Sequence, residues 1–183
     1  MTTQTQTTLS IGVIGLGAMG KGMASSLRRA GHHVSVCDVR YEAAEAFAQE
    51  GGTAHKTPAA LAQAADIIVS VVVNADQTEQ VLFGANGAAA HMKAGSLFIM
   101  CSTVDPNWSV ALEKRLNDMG LLYLDAPISG GAAKAASGQM TMMTSGQAAA
   151  YTKAGNALES MAANVYKLGD RAGYGSKVKI INQ

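Results

Sequence analysis

Residues 11–20, IGVIGLGAMG, constrain the fold of this chain more than any other stretch. An apolar run breaks into Gly15-x-Gly17-x-x-Gly20, and residues 17–30 then place Met19, Met23, Leu27 and Ala30 at helical spacing. A second apolar run, residues 32–38, ends in Asp38, about 20 residues beyond the glycines. Strand, glycine turn, helix and a strand closing in an acid make up the dinucleotide fingerprint. Each residue type has a physical task in it. Gly15 permits the sharp turn, Gly17 lets the backbone approach a pyrophosphate, and Gly20 lets the helix pack closely on the strand. Leu16, Ala18 and Met19 complete the turn. The helix start offers free N–H groups and a partial positive charge to phosphates. Asp38 accepts hydrogen bonds from ribose hydroxyls, with Val39 and Arg40 beside it, and its charge opposes a 2′-phosphate. The expected cofactor is therefore NAD, with Arg40 as the one nearby cation that would tolerate NADP. The alternative is a turn that serves packing alone.

The remaining chain continues the alternation. Strands are expected at 9–15, 32–38, 66–73, 96–102, 121–127, 138–146 and 164–169, and helices at 17–30, 41–50, 57–65, 75–83, 107–120 and 147–162. Thr57 is a natural N-cap with Pro58 at the first helical position. Residues 66–73 are apolar on both faces, as a central parallel strand requires. The pattern predicts an α/β fold, a doubly wound, mostly parallel Rossmann-type sheet with right-handed crossovers. Residues 1–8 read as a disordered tail, 9–172 as the dinucleotide-binding domain, and 173–183 as the start of a further helix.

Composition excludes other classes. The net charge is +1 and 15% of the 183 residues are charged, with no basic stripe interleaved with aromatics, so nucleic acid is not an expected partner. The longest apolar run, residues 67–73, is too short to span a bilayer, and no membrane partner is expected. Cys37 and Cys101 stand far apart in apolar contexts. They read as small buried residues of a reducing compartment, with no metal site, and the expected location is the cytoplasm.

Three further stretches join the glycine fingerprint: STVDP (102–106), DAPISGG (125–131) and GYGSKVKIINQ (173–183). Together, and in this order, they resemble the β-hydroxyacid dehydrogenase family, which includes 3-hydroxyisobutyrate dehydrogenase and tartronate semialdehyde reductase. APISGGAAKAASGQMTMMTSG (126–146) is most similar to the family's L-threonate dehydrogenase branch. The resemblance implies roles at matching positions. Ser129, Gly130 and Gly131 match the site for the substrate carboxylate; by residue chemistry alone they form a helix-capping turn equally well. Ser102 and Thr103 match a position beside the nicotinamide; read alone, they are helix caps. Val73 and Asn74 match a loop near the cofactor, and Asn74 serves equally as an N-cap.

Lys177 and Lys179 both stand near the end of the chain. Neighbours two apart on a helix point in nearly opposite directions. Lys179 and Asn182 are three apart and share a face, whereas Lys177 and Asn182 do not. The family pattern agrees, so Lys179 is the expected general acid/base and Asn182 the group that orients the substrate hydroxyl. Without the family, a lysine between apolar residues usually snorkels. The resemblance implies NAD-dependent oxidation of a small hydroxyacid: L-threonate first, then 3-hydroxyisobutyrate or D-glycerate, with tartronate semialdehyde in the reverse direction. It also implies a second, helical domain beyond residue 183 that closes the cleft and builds a homo-oligomer. This chain would then be the amino-terminal portion of such an enzyme, inactive alone. The alternative is a non-catalytic dinucleotide-binding module.

Overall fold

The computed structural model describes residues 7–183, so the tail expected at 1–8 lies largely outside the described residues. The chain alternates as expected: β1 (Ser10–Ile14), α1 (Gly20–Arg29), β2 (His33–Cys37), α2 (Tyr41–Gln49), β3 (Thr53–Ala54), α3 (Pro58–Ala64), β4 (Ile67–Ser70), α4 (Ala75–Phe83), β5 (Leu97–Met100), α5 (Pro106–Asp118) and β6 (Leu122–Asp125). Then follow β7 (Ile128–Ser129), α6 (Gly131–Ser137), β8 (Met140–Thr144), α7 (Ala148–Ala154), α8 (Ala157–Met161), β9 (Ala162–Lys167) and α9 (Tyr174–Ile181).

Six parallel strands run in the order β3-β2-β1-β4-β5-β6. The side-chain period of two sends Ile11, Val13, Val34, Val36, Ile67, Val69, Leu97 and Ile99 to one core. It sends Ile14, Cys37, Ile68, Phe98, Met100 and Tyr123 to the other. Both faces are covered, which is why the strands read as continuous apolar runs. The chain order reverses between β1 and β4, and their carboxyl ends open into loops at this switch point.

The single sheet expected from the pattern is divided. β7, β8 and β9 form a second, three-stranded sheet in which β7 is antiparallel and β9 parallel to β8. One antiparallel bridge, Asp125 to Ser145, joins it to the end of β6. The helix expected over 147–162 is also divided, because Gly155 takes a positive φ of 53° and ends α7. β3 and β7 were not expected; a two-residue strand carries no period. Helix starts follow local chemistry. The Thr57 hydroxyl accepts the Ala60 N–H at 3.1 Å, with Pro58 at the first helical position. Asp105 caps α5 ahead of Pro106. Such caps contribute about 1 kcal/mol each.

α1 packs on α6 with little space between. A Cβ at Gly22 would lie 2.6 Å from the backbone nitrogen of Ala136. The Ser26 hydroxyl donates to the carbonyls of Ala135 (2.8 Å) and Ala136 (3.3 Å), and the Arg29 guanidinium also donates to Ala136. The Ala136 carbonyl gains its partners this way, while that of Ala135 also accepts the Gly138 N–H at 3.3 Å.

Both cysteines are buried and free. Burial, with Asp38 nearby, pushes the Cys37 thiol up to about 11, and burial, with Asp125 nearby, pushes Cys101 up to about 12. The thiolate is the reactive form. Neither thiol should therefore react with Ellman's reagent near neutral pH in the native protein, and both should titrate after unfolding in denaturant. Prompt reaction of a native thiol would contradict this placement.

Candidate functional site

The carboxyl ends of β1, β2 and β4 enclose a cleft of about 880 Å³. Gly15, Gly17, Asp38, Val39, Arg40 and Val73 line it, whereas Gly20, Asn74, Ser102 and Thr103 do not. Lys56, Val71, Val72 and Gln77 line it too and were not singled out beforehand.

The glycine turn is held from both sides. The Gly15 N–H donates to the Cys37 carbonyl at 2.9 Å, and the Val71 N–H donates to the Ile14 carbonyl at 2.8 Å. Gly15 has φ 94°, and a Cβ there would lie 2.5 Å from the Val71 oxygen. Only glycine meets both demands. Gly20 sits where the start of the helix meets the end of the first strand. A Cβ there would collide with the Gly15 carbonyl oxygen and lie 3.4 Å from the Val71 Cβ, so glycine permits the close approach. At Gly17 a Cβ would meet nothing within 4 Å, and the residue is exposed on the cleft. That open approach is what a pyrophosphate requires. Leu16 is buried, Ala18 exposed and Met19 half-buried. α1 begins at Gly20 with no side-chain cap and no acid in its first turn, which leaves its N–H groups and positive dipole end for an anion. No part of this arrangement conflicts with a bound dinucleotide.

Asp38 does more than offer itself to a ribose. Its Oδ2 accepts the Leu16 N–H at 2.7 Å, and its Oδ1 accepts the Arg40 N–H at 2.9 Å. The carboxylate thus ties the glycine turn to the end of β2, and each oxygen keeps a lone pair for a ribose hydroxyl. The Arg40 guanidinium lies 3.8 Å from Oδ1 and is largely exposed. Lys56 shares the cleft, so two cations stand near the expected ribose end.

The β4–α4 and β5–α5 loops resolve several open readings. Asn74 is the N-cap of α4, its Oδ1 accepting the Gln77 N–H at 2.9 Å. Gln77 in turn accepts the Val73 N–H at 2.9 Å, which holds Val73 out at 75% exposure. Ser102 is buried; its hydroxyl donates to the Val72 carbonyl at 2.8 Å and meets the Thr78 hydroxyl at 3.3 Å. It braces one loop on the other. Neither Ser102 nor Thr103 caps α5, since Asp105 does. Thr103 is half-buried.

The residues expected to meet a substrate lie apart from this cleft. Ser129, Gly130 and Gly131 are exposed at the turn between β7 and α6, and none of them lines the cleft. Gly130 and Gly131 have φ 139° and 77°. Lys179 and Asn182 do not line it either: Lys179 is half-buried on α9, Asn182 is its exposed C-cap, and Lys177 is exposed. Among the described residues, no group of three or more His, Cys, Asp or Glu is placed to hold a metal ion, and no helix is long and apolar enough to cross a membrane.

Residues 10–169 match the family model described as the NAD binding domain of 6-phosphogluconate dehydrogenase. The chain is 58% identical over 174 residues to an L-threonate dehydrogenase of Cupriavidus necator, covering 95% of this chain and 59% of that protein. It is 37% identical to the mitochondrial 3-hydroxyisobutyrate dehydrogenase of Mus musculus, covering 94% of this chain and 51% of that one. A solved 3-hydroxyisobutyrate dehydrogenase from Salmonella typhimurium superposes with a TM-score of 0.90 at 42% identity, over 94% of this chain and 60% of that chain. The chain thus spans between half and three-fifths of the length of these relatives.

Gly17→Val tests the cleft directly. The new side chain enters open space, so the melting temperature should stay within about 3 °C. NAD affinity, measured by calorimetric titration, should fall at least about tenfold. Unchanged affinity would reduce the turn to a packing element.

Proposed function

The chain belongs to the β-hydroxyacid dehydrogenase family and forms its NAD-binding domain; from that premise we propose that the full-length protein oxidises a small hydroxyacid, with L-threonate as the first candidate. The observation that carries this reading is the coexistence of a dinucleotide cleft with the Ser129-Gly130-Gly131 turn and the Lys179/Asn182 pair. A module that only senses a dinucleotide has no use for the last two.

The division of labour is as follows. The Ser129 hydroxyl and the backbone N–H groups of Gly130 and Gly131 hold the substrate carboxylate. Asn182 orients the hydroxyl to be oxidised, and Lys179 Nζ takes its proton, or returns it in the reverse reaction. Bound NAD supplies the hydride acceptor at its nicotinamide. Asp38 receives the adenosine ribose, the first turn of α1 faces the pyrophosphate, and Val73, Asn74, Ser102 and Thr103 border the nicotinamide side. α9 leads into a second, helical domain that completes the substrate site and joins subunits into a homo-oligomer, and the protein works in the cytoplasm. L-threonate stands ahead of 3-hydroxyisobutyrate and D-glycerate because of the identity to L-threonate dehydrogenases.

A panel of these hydroxyacids with NAD and the full-length protein, followed by NADH absorbance, tests the activity. No turnover with any of them would favour the non-catalytic module. Lys179→Ala should lower turnover by about a hundred- to ten-thousandfold with little change in NAD affinity. Lys177→Ala should be nearly neutral, and a swap of these two results would sink the assignment of both Lys179 and Asn182. Calorimetric titration should show NAD bound more tightly than NADP, and equal or tighter NADP binding would reject Asp38 as the discriminating group. In Asp38→Asn the preference should narrow. NAD binding itself should also weaken, because both carboxylate oxygens accept a backbone N–H, from Leu16 and Arg40, and the single amide oxygen can accept only on one side.

A further inference from the structure

Asp125, at the end of β6, is a fully buried carboxylate with no part in the chemistry above. Burial pushes its carboxyl above the usual range, while hydrogen bonds from Ser176, Gly173 and Ser145 pull it back. Its Oδ2 accepts the backbone N–H of Gly173 at 3.0 Å and of Ser176 at 2.9 Å, and its Oδ1 accepts the Ser176 hydroxyl at 2.6 Å. The Ser145 hydroxyl donates to Oδ2 at 3.3 Å and accepts the Gly175 N–H at 3.0 Å. From α5, both oxygens of Glu113 accept the Ala172 N–H, at 3.1 and 3.2 Å.

Apart from the Ser145 hydroxyl, these donors belong to the start of α9 and the residue before its N-cap. A helix leaves its first N–H groups without partners, and a local N-cap side chain usually serves one of them. Here the N-cap is Gly173, which has no side chain to offer. The groups are served from elsewhere in the fold, by residues 30 to 59 positions away in sequence. The two carboxylates also match the positive end of the helix dipole. The contact is close: a Cβ at Gly175 would run into the Met143 carbonyl and lie 3.1 Å from that of Asp125. Ser176, Lys179 and Asn182 follow at intervals of three along one face. Ser176 is locked on Asp125, Lys179 stands about one turn further along, and Lys177 points away to solvent.

We propose that Asp125, with Glu113 as a second arm and Ser145 as a bridge, is the positioning residue that sets the height and rotation of α9 and thereby the place of Lys179 in the active site. This role rests on the reading of Lys179 as the acid/base group.

The test uses the full-length protein and three variants: Asp125→Ala, Asp125→Asn and Ser176→Ala. An asparagine keeps an oxygen for the two backbone N–H groups, and its NH₂ can donate to the Ser176 hydroxyl. It therefore preserves the geometry without the charge. Amide exchange over residues 172–179, NAD affinity and steady-state kinetics with L-threonate are measured. In Asp125→Ala exchange there should quicken at least about tenfold. Its kcat should fall about a hundredfold, as expected for a displacement of about 1 Å, while NAD affinity and the substrate KM change less than about threefold. Asp125→Asn should recover most of the kcat, and Ser176→Ala should fall between. If Asp125→Ala does not fold, Ser176→Ala carries the same comparison. Unchanged exchange and kcat in the variants that fold would overturn the proposal. So would an Asp125→Asn protein that folds and is as inactive as Asp125→Ala, because the charge itself would then be required. If the wild-type protein oxidises no hydroxyacid, the functional reading fails, and the exchange measurement still decides whether the clamp holds α9.

Discussion

The 2.7 Å hydrogen bond from the Leu16 N–H to the Asp38 carboxylate is the contact on which the cofactor cleft depends. It joins the turn after β1 to the end of β2, where Gly15 is already bound to the Cys37 carbonyl. A backbone that doubles back at φ 94° needs outside support to stay open toward solvent. Asp38 supplies it and keeps lone pairs for a ligand. The carboxylate that shapes the loop is also the one proposed to recognise the ribose, so a substitution that removes its charge acts on both roles at once.

The same economy recurs wherever the fold brings a functional segment into place. Ser26 on α1 binds the end of α6, so the helix that carries the dinucleotide turn also anchors the helix that follows Ser129-Gly130-Gly131. Ser102 braces the loop that presents Val73. Asp125 and Glu113 cap α9 from β6 and α5. In each case a polar group buried by the fold is satisfied by a backbone group of a distant segment, as burial demands. The segments proposed to hold cofactor and substrate are thus joined by direct contacts between α1 and α6, although they lie far apart in sequence.

Much of this was legible beforehand. Thr57 with Pro58, the apolar runs of β4 and β5, and the glycine turn before α1 are local signals, each contained within a few residues. By sequence Asn74 suits a cofactor contact and an N-cap equally, and the structure shows the cap. Ser102 and Thr103, read alone, were expected to cap a helix. The cap falls instead to Asp105, whose carboxylate reaches two N–H groups of the first turn. Gly155 was passed over inside an alanine-rich segment, where composition favoured one helix. Asp125 was read only as part of a motif, because nothing in its neighbours announces partners at Ser145 and Ser176.

What the sequence determined by itself was the set of periodic and short-range features: alternating elements with apolar strands on both faces, a glycine turn that only glycines permit, and an acid at the end of the second strand. These follow from steric limits and from side-chain periods of 2 and 3.6 residues. The tertiary structure decided the rest. It set the division into two sheets, the use of Asp38 to hold Leu16, the burial of Ser102, and the capping of α9 by residues 30 to 59 positions away. The physical reason is that a hydrogen bond between distant segments depends on where packing brings their atoms. No spacing along the chain encodes that meeting.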